Sequence, residues 1–293
     1  MNASTPAPSE PVRSNHALPS PLALFPYYEN GDQLKQKHLR SNMASGRRFE
    51  SWALDLLPLS SEESVLDAGC GWGRFAWPLL EKYGMASDRI TCCDSSFGML
   101  NTAAQEAAQR GHRPQFTAAD IRYLPFPTGY FDGAMANHVL YHLSDIRDGI
   151  RDLARVVRKR GWLLATTNSD EVSVPVLEYH YAALDELEID YSRESRSPFS
   201  MENGRQHLEC AFASVRTFYF DDETLYHSAD EFLVGYSTIG RYRNLLARAD
   251  VSRAAKERLS RLVREKAEET IRAHGVLRSP VRMGAFVCRE PLA

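Results

Sequence analysis

The chain lacks most of the features that assign a protein to a special environment. No apolar run approaches the roughly 20 residues that a membrane span needs. The N-terminus shows neither the basic nor the apolar region of a secretory signal, so a cytoplasmic location is expected. Neither charge is in large excess: 35 Lys and Arg stand against 38 Asp and Glu, a net charge of -3. That balance gives no general pull toward nucleic acid or an anionic membrane, and neither is expected as a partner. Cysteine is sparse and odd in number. Cys70, Cys92, Cys93, Cys210 and Cys288 have no metal-ligand spacing, so buried thiols are expected rather than a metal centre. No internal repeat is found. What remains is 293 residues, 43% hydrophobic and 25% charged, an ordinary globular composition. The length suits one α/β domain with additions, or two small domains.

The most informative stretch is Ser64-Val65-Leu66-Asp67-Ala68-Gly69-Cys70-Gly71-Trp72-Gly73-Arg74. A short apolar run ends in an acid, three glycines follow at alternate positions, and a helical pattern begins at Phe75. This predicts a buried strand, a tight turn and a helix. Such a turn is where open α/β sheets hold a nucleotide. Two nucleotide fingerprints are missing. The dinucleotide pattern needs a third glycine where Arg74 stands, and no Gly-Lys-Ser/Thr triplet follows for a phosphate loop.

The pattern present, D-x-G-x-G-x-G, resembles motif I of the class I S-adenosylmethionine (SAM) dependent methyltransferases. The resemblance implies that Asp67 ends the first strand, and that Gly69, Cys70, Gly71 and Gly73 pass under the methionine part of SAM. The sequel extends it. Arg89 to Asp94 is a β-prone run ending in an acid about 20 residues beyond the turn, and Ser95 opens the next helix. The family's second-strand acid binds both ribose hydroxyls, so Asp94 and Ser95 are candidates for that contact. Gln115 to Ala119 reads as a third strand, and Asp120-Ile121 then resembles the adenine-binding segment. Tyr130 to Asn137 supplies the fourth strand, and the backbone at Asn137 would accept from the SAM amino group. Asp145 to Arg158 reads as a helix and Trp162 to Thr167 as the fifth strand. The alternation predicts a parallel sheet with helices on both faces. The resemblance covers about Ser64 to Asn168, and is closest to the small-molecule branch that includes ubiquinone and menaquinone methyltransferases. It implies a Rossmann-like sheet of seven strands, order 3-2-1-4-5-7-6, with the last strand antiparallel.

On either side of that core the pattern is looser. Residues 1–21, rich in Pro, Ser and Ala, are expected to be a disordered tail. Residues 22–60 bring an aromatic patch and a helical stretch from about Asp32 to Leu57, either closing the sheet edge or forming a lid. As a lid they would bring Tyr27 or Tyr28, and Arg40, Arg47 or Arg48, to the SAM carboxylate. The core is expected over 61–170, and a lid insertion over 171–212 with Tyr179, His180 and Tyr181 along its cavity. Residues 213–293 should complete the sheet, with Ala213 to Asp221 and Met283 to Arg289 as strands. Between them Ala229 to Gly240 and Arg241 to His274 read as helices forming a substrate cap. The acids Glu178, Asp185, Glu186, Glu188 and Asp190 read as a solvated face, or as a preference for a cationic acceptor.

The expected chemistry is transfer of the SAM methyl group to an O or N nucleophile of a small molecule, leaving S-adenosylhomocysteine, with no metal. Secondary metabolism or cofactor synthesis suits such an enzyme, acting as a monomer or homodimer. Catalysis would rest mainly on alignment, with His138 or His142 as candidate base. If their stretch is helical, these two share a face. Tyr141 would shape the pocket around the sulfonium. The alternatives are a SAM-binding protein without methyl transfer, or a protein or RNA methyltransferase.

Overall fold

A computed structural model describes residue 35 and residues 43–171, 175–191, 196–237 and 239–292. Seven strands form one sheet in the order β3-β2-β1-β4-β5-β7-β6. They are β1 (Val65–Ala68), β2 (Ile90–Asp94), β3 (Gln115–Ala118), β4 (Phe131–Asn137), β5 (Val157–Asn168), β6 (Phe212–Tyr226) and β7 (Leu277–Pro291). Neighbours from β3 through β5 are parallel, whereas β7 runs antiparallel to both β5 and β6. The sheet is therefore the expected one, including the return of β7 between β5 and β6.

Both faces are covered, and strand alternation divides the apolar residues between them. Val65, Met135, Trp162 and Leu164 pack on one face, where α1 (Phe49–Leu54), α2 (Ala76–Glu81) and α3 (Phe97–Gln109) supply Phe49, Trp77, Leu79 and Leu100. Leu66, Ala134, Leu163 and Ala165 pack on the other. There α4 (Ile146–Val156) lays down Ile150, Leu153 and Ala154, at the spacing of a single helix stripe. Asp145 caps α4 by accepting from Asp148 N at 3.0 Å, and Ser96 caps α3 by accepting from Met99 N at 3.2 Å. Close strand packing needs a bare backbone at Gly133, where a Cβ would sit 2.1 Å from Trp162 Cε2. Gly133→Ala is expected to lower the stability measured by urea unfolding by about 1–3 kcal/mol through overpacking.

Beyond β5 lie α5 (Pro175–Glu186), the short α6 (Gly204–Leu208), α7 (Ala229–Tyr236), α8 (Gly240–Ala247) and α9 (Arg253–His274). Helices α5, α7, α8 and α9 share a third apolar cluster that includes Leu184, Phe232, Tyr236, Leu245 and Leu259. Two differences from the sequence reading matter. The stretch Arg241 to His274 is broken at 248–252, because Arg248 leaves the helix to pair with Asp250 and Ser252 caps a new one. Ser252 accepts from Ala255 N at 3.1 Å. Secondly, β6 and β7 outrun the rest of the sheet. Asp221–Tyr226 pairs with Leu277–Arg282 beyond Met283, the last residue of β7 that pairs with β5. The free end of this two-stranded ribbon joins the cap on both strands, leading into α7 after Tyr226 and receiving the chain from α9 at Leu277, which pairs with Tyr226. Residues before α1 clip onto it: Ala44 N donates to Glu223 O at 2.8 Å, and Arg47 Nη2 to Asp221 O at 2.8 Å. Among the described residues, no helix is long and apolar enough to cross a membrane.

Candidate active site

The parallel strands β1, β2 and β4 end together, and their terminal residues surround the glycine turn. Gly69 N and Cys70 N both donate to Cys93 O, at 2.7 and 2.9 Å, which folds the turn back over β2. All three glycines adopt positive φ: 73° at Gly69, 56° at Gly71 and 89° at Gly73. Their surroundings differ. A Cβ at Gly69 would meet Val139 Cγ2 at 2.4 Å, and one at Gly73 would meet Trp77 Cζ2 at 2.1 Å. At Gly71 nothing lies within 4 Å. Gly69 and Gly73 therefore let the protein pack against itself, and Gly71 leaves its backbone open to something else. Cys70 is buried in the same turn, and its thiol is pushed well up by its contact with Cys92 and by burial. It is inert as a nucleophile.

Asp94, at the end of β2, accepts from Gly71 N at 2.9 Å and from Ser96 N at 2.9 Å. Burial raises its pKa, while the amides of Ser96, Gly71 and Ser95 hold it back. Ser95 itself is exposed beside it. Asp67 is 1% exposed, and its Oδ2 finds no hydrogen-bond donor among the described residues. Burial first, and the charge of Asp94 second, push its pKa up to about 7. The Asn137 amide offsets part of that shift without closing a normal hydrogen bond, since Asn137 Nδ2 is also unsatisfied. Asn137 Oδ1 accepts from Thr166 Oγ1 at 3.2 Å. Thr166 is a partner that sequence reasoning missed, because nothing in β5 marks it apart from other strand threonines.

Asp120 caps the short turn Ile121–Tyr123, accepting from Arg122 N at 2.9 Å. Its two carboxylate oxygens also hold the Arg122 guanidinium, at 2.6 to 3.1 Å, which draws its pKa below the usual range. A further donor at Asp120 therefore shares an occupied carboxylate. Ile121, the next residue, is buried.

The segment after β4 is not a regular helix. His138 takes φ 51°, donates its backbone N–H to Thr166 O at 2.9 Å, and only Leu140–His142 forms a single tight turn. His138 and His142 therefore do not share a helix face. The His138 ring lies 5.3 Å from Phe49, and the His142 ring 4.4 Å from Tyr141. Burial, followed by the charge of Arg243 on α8, lowers the His142 pKa to about 4. Cap and core thus meet at this segment. In the cap, His180 Nδ1 and Tyr236 OH share a buried 2.8 Å hydrogen bond, and the Tyr236 and Tyr242 rings lie 4.4 Å apart. Of the acids on α5, Asp185 accepts from Tyr191 OH at 2.7 Å and Glu186 faces Arg258 at 3.6 Å.

Tyr27, Tyr28 and Arg40 lie outside the described residues. Arg48 donates to Glu50 Oε1 rather than standing open, and Arg47 lies over the Phe220 ring at 4.4 Å. Sequence reasoning missed Glu50 and Arg74. Glu50 is 3% exposed on α1, and its other oxygen accepts from Arg74 Nη2 at 3.1 Å. Among the described residues, no group of three or more His, Cys, Asp or Glu is placed to hold a metal ion.

Comparison with known proteins agrees with this geometry. Residues 65–161 match the family model described as a methyltransferase domain. The malonyl-acyl-carrier-protein O-methyltransferase of Salmonella typhimurium is 31% identical over 174 residues, 58% of this chain and 63% of that protein. The protein so named in Legionella pneumophila is 38% identical over 103 residues, 35% of each chain. The chain thus spans less than two thirds of the length of either curated relative. Among solved structures, the 4+2 cyclase SpnF superposes with a TM-score of 0.53 at 19% identity, over 83% of this chain and 80% of its own. By its strand order, its antiparallel last strand and this core match, the chain has the fold of the class I SAM-dependent methyltransferases.

Proposed function

We propose that the protein is a SAM-dependent methyltransferase acting on an O or N nucleophile of a small molecule. The observation that carries this is the open backbone of Gly71 beside Asp94, at the ends of β1 and β2. A ligand with a ribose fits there: the diol donates to Asp94, whose carboxylate has room beyond the two amides that already bond it. The unsatisfied Oδ2 of Asp67 fits a cationic donor, and the ammonium of the methionine end is one. The Asp120–Ile121 segment resembles the one that packs on the adenine in this family. When bound, SAM supplies a methyl group already activated by a cationic sulfur.

The protein's own contribution is then alignment and exclusion of water. Asn137 is fixed by Thr166, and Tyr141 and His142 form the wall between the strand ends and the cap. Little basicity is required of that wall for an amine acceptor. A hydroxyl acceptor gains from a base, worth roughly 10²–10⁴-fold. His142 stays neutral at pH 7 but is a weak base, and His138 is the other candidate. At saturating SAM, any acid limb in turnover due to His142 should fall near pH 4 rather than near 6.5, and His142→Ala should remove it.

The names of the two curated relatives favour oxygen as the nucleophile. Within the fold, the small-molecule branch that includes ubiquinone and menaquinone methyltransferases is our closest placement, on the motifs of residues 64–168. SpnF shares the sheet yet is named for a cyclisation, so SAM binding and methyl transfer need separate tests. Native mass spectrometry of the purified protein tests the first. Incubation with methyl-labelled SAM and a metabolite extract tests the second. Label on a small product establishes transfer, label on protein or RNA redirects the acceptor class, and bound SAM without labelled product overturns methyl transfer.

A further inference from the structure

Helix α8 carries two half-buried arginines, Arg241 and Arg243, on either side of Tyr242. The Arg241 guanidinium lies 5.9 Å from the centroid of the Tyr181 ring. Tyr181 stacks on Tyr191 at 4.9 Å and lies 5.6 Å from the His180 ring. His180 shares its 2.8 Å hydrogen bond with Tyr236, and Tyr236 meets Tyr242 at 4.4 Å. A continuous chain of contacts thus joins α5, α7 and α8 around Arg241. Residues two apart leave a helix about 200° from one another, so Arg243 departs on nearly the opposite side. There its charge reaches His142, in the segment after β4. Helix α8 therefore sets one cation toward the cap and one toward the core.

The charges around these two arginines are one-sided. Elsewhere in the cap Arg248 meets Asp250, Arg258 meets Glu186 and Glu265, and Arg264 meets Asp230 and Glu268. Arg241 faces the Tyr181 ring and forms no ion pair among the described residues. The acids of α5 do not answer it, because Glu178, Asp185 and Glu186 are exposed while His180 on the same helix is buried. Burial first, and Arg241 second, lower the His180 pKa to about 4, as burial and Arg243 do at His142, and no carboxylate offsets either shift. Both imidazoles are neutral at pH 7, and the fixed charges acting on them are positive. A half-buried guanidinium among tyrosines gives up hydration, and the Tyr181 ring offsets part of that cost. A carboxylate or phosphate on the guanidinium fork offsets more.

We infer that α8 is the acceptor-recognition helix, that the methyl acceptor carries a carboxylate or phosphate, and that Arg241 and Arg243 are its specificity-determining residues. The inference rests on the proposed function. It reverses the cationic preference that the acids of α5 suggest in the sequence. A cationic acceptor meets like charge from both sides of α8, whereas an anionic one is drawn in.

The test divides the metabolite extract by charge. Fractions retained on an anion exchanger, retained on a cation exchanger, and retained on neither are each incubated with the wild type and methyl-labelled SAM. Label is expected from the anionic fraction. Phosphatase treatment of that fraction separates the two anions: acceptance lost assigns a phosphate, and acceptance kept assigns a carboxylate. Initial rates with the same fraction are then compared for Arg241→Gln, Arg243→Gln, the corresponding Lys variants and Arg261→Gln, an exposed position on α9. Each Gln variant should raise the apparent KM for the acceptor by about 10- to 100-fold, with kcat changed less and SAM affinity unchanged. The Lys variants should recover part of the loss, and Arg261→Gln should behave as the wild type. Label from the cationic or neutral fraction alone overturns the inference, as does an unchanged KM in both Gln variants. Weakened SAM binding in step with the raised KM also overturns it, since the arginines would then serve the cofactor. Bound SAM with no label from any fraction fails methyl transfer itself, which separates the two failures. Thermal melts identify a variant that has not folded, and the Lys variants then carry the comparison.

Discussion

Gly71→Leu is expected to lose about 100-fold or more in SAM affinity while the protein stays folded, a loss of about 2.7 kcal/mol or more. The neighbouring glycines provide the contrast. Any L-residue at these three positions pays for positive φ, about 1–2 kcal/mol. At Gly69 and Gly73 a steric term is added, since the new Cβ would lie 2.4 Å from Val139 Cγ2 or 2.1 Å from Trp77 Cζ2. Trp77 is 2% exposed and its Nε1 donates to Trp72 O at 3.1 Å, so it has little freedom to yield. Gly69→Ala and Gly73→Ala should therefore show as lower melting temperatures. At Gly71 the side chain enters empty space, and stability falls only by the strain. What it obstructs is the approach of a ligand to the backbone beside Asp94. Melting curves and calorimetric titrations of all three variants separate the two effects. Gly71→Leu binding SAM as tightly as the wild type would place the ligand elsewhere.

This contrast also shows how far the sequence can be read. The three glycines are visible in it, and so is the turn they imply. Which of them serves packing and which serves a ligand is decided by Val139 and Trp77, one of them 70 residues away, and no local pattern records that. The succession of the five parallel strands along the chain was legible because each strand–helix alternation leaves its own periodicity, whereas their order in the sheet followed from the family resemblance. The acids Asp67, Asp94 and Asp120 were legible because each ends or follows a strand. Their states were not: Asp120 is held by Arg122, whereas Asp67 keeps an open oxygen. The Glu50–Arg74 pair joins residues 24 apart with no periodic relation, so a buried contact between them has no signature in the chain. In the cap, helical periodicity ran through 248–252 unbroken. The break is set by Ser252, which caps the next helix, and by Asp250, which holds the Arg248 guanidinium. The same holds for His138 and His142, where a four-residue spacing suggested a helix that a left-handed residue interrupts.

SAM affinity should fall steeply below neutral pH, by about tenfold per unit between pH 7 and pH 5, and level off above pH 8. The group responsible is Asp67. Burial and the nearby Asp94 raise its pKa to about 7, so below that pH the ligand-free protein holds it as a neutral acid. Pairing with a cationic ammonium needs the carboxylate, and each unit of acidity adds the cost of removing a proton before binding. The sign for stability is the opposite. The folded state holds a proton on Asp67 that the unfolded chain has released above its ordinary carboxylate range. This contribution is fully present below about pH 4 and is lost as pH rises to 7. In the ligand-free protein, then, this group favours folding in acid, whereas SAM binding favours neutral pH. Asp67→Asn removes the titration while keeping the shape. In that variant the SAM affinity should be weak and flat from pH 5 to pH 8, and the melting temperature of the ligand-free form should lose its decline over pH 4 to 7. Titrations of both proteins at four pH values check this. A pH dependence that persists unchanged in Asp67→Asn would assign it to Asp94, whose pKa burial also raises. The unsatisfied oxygen of Asp67 would then be a cost of the fold rather than a contact for the ligand.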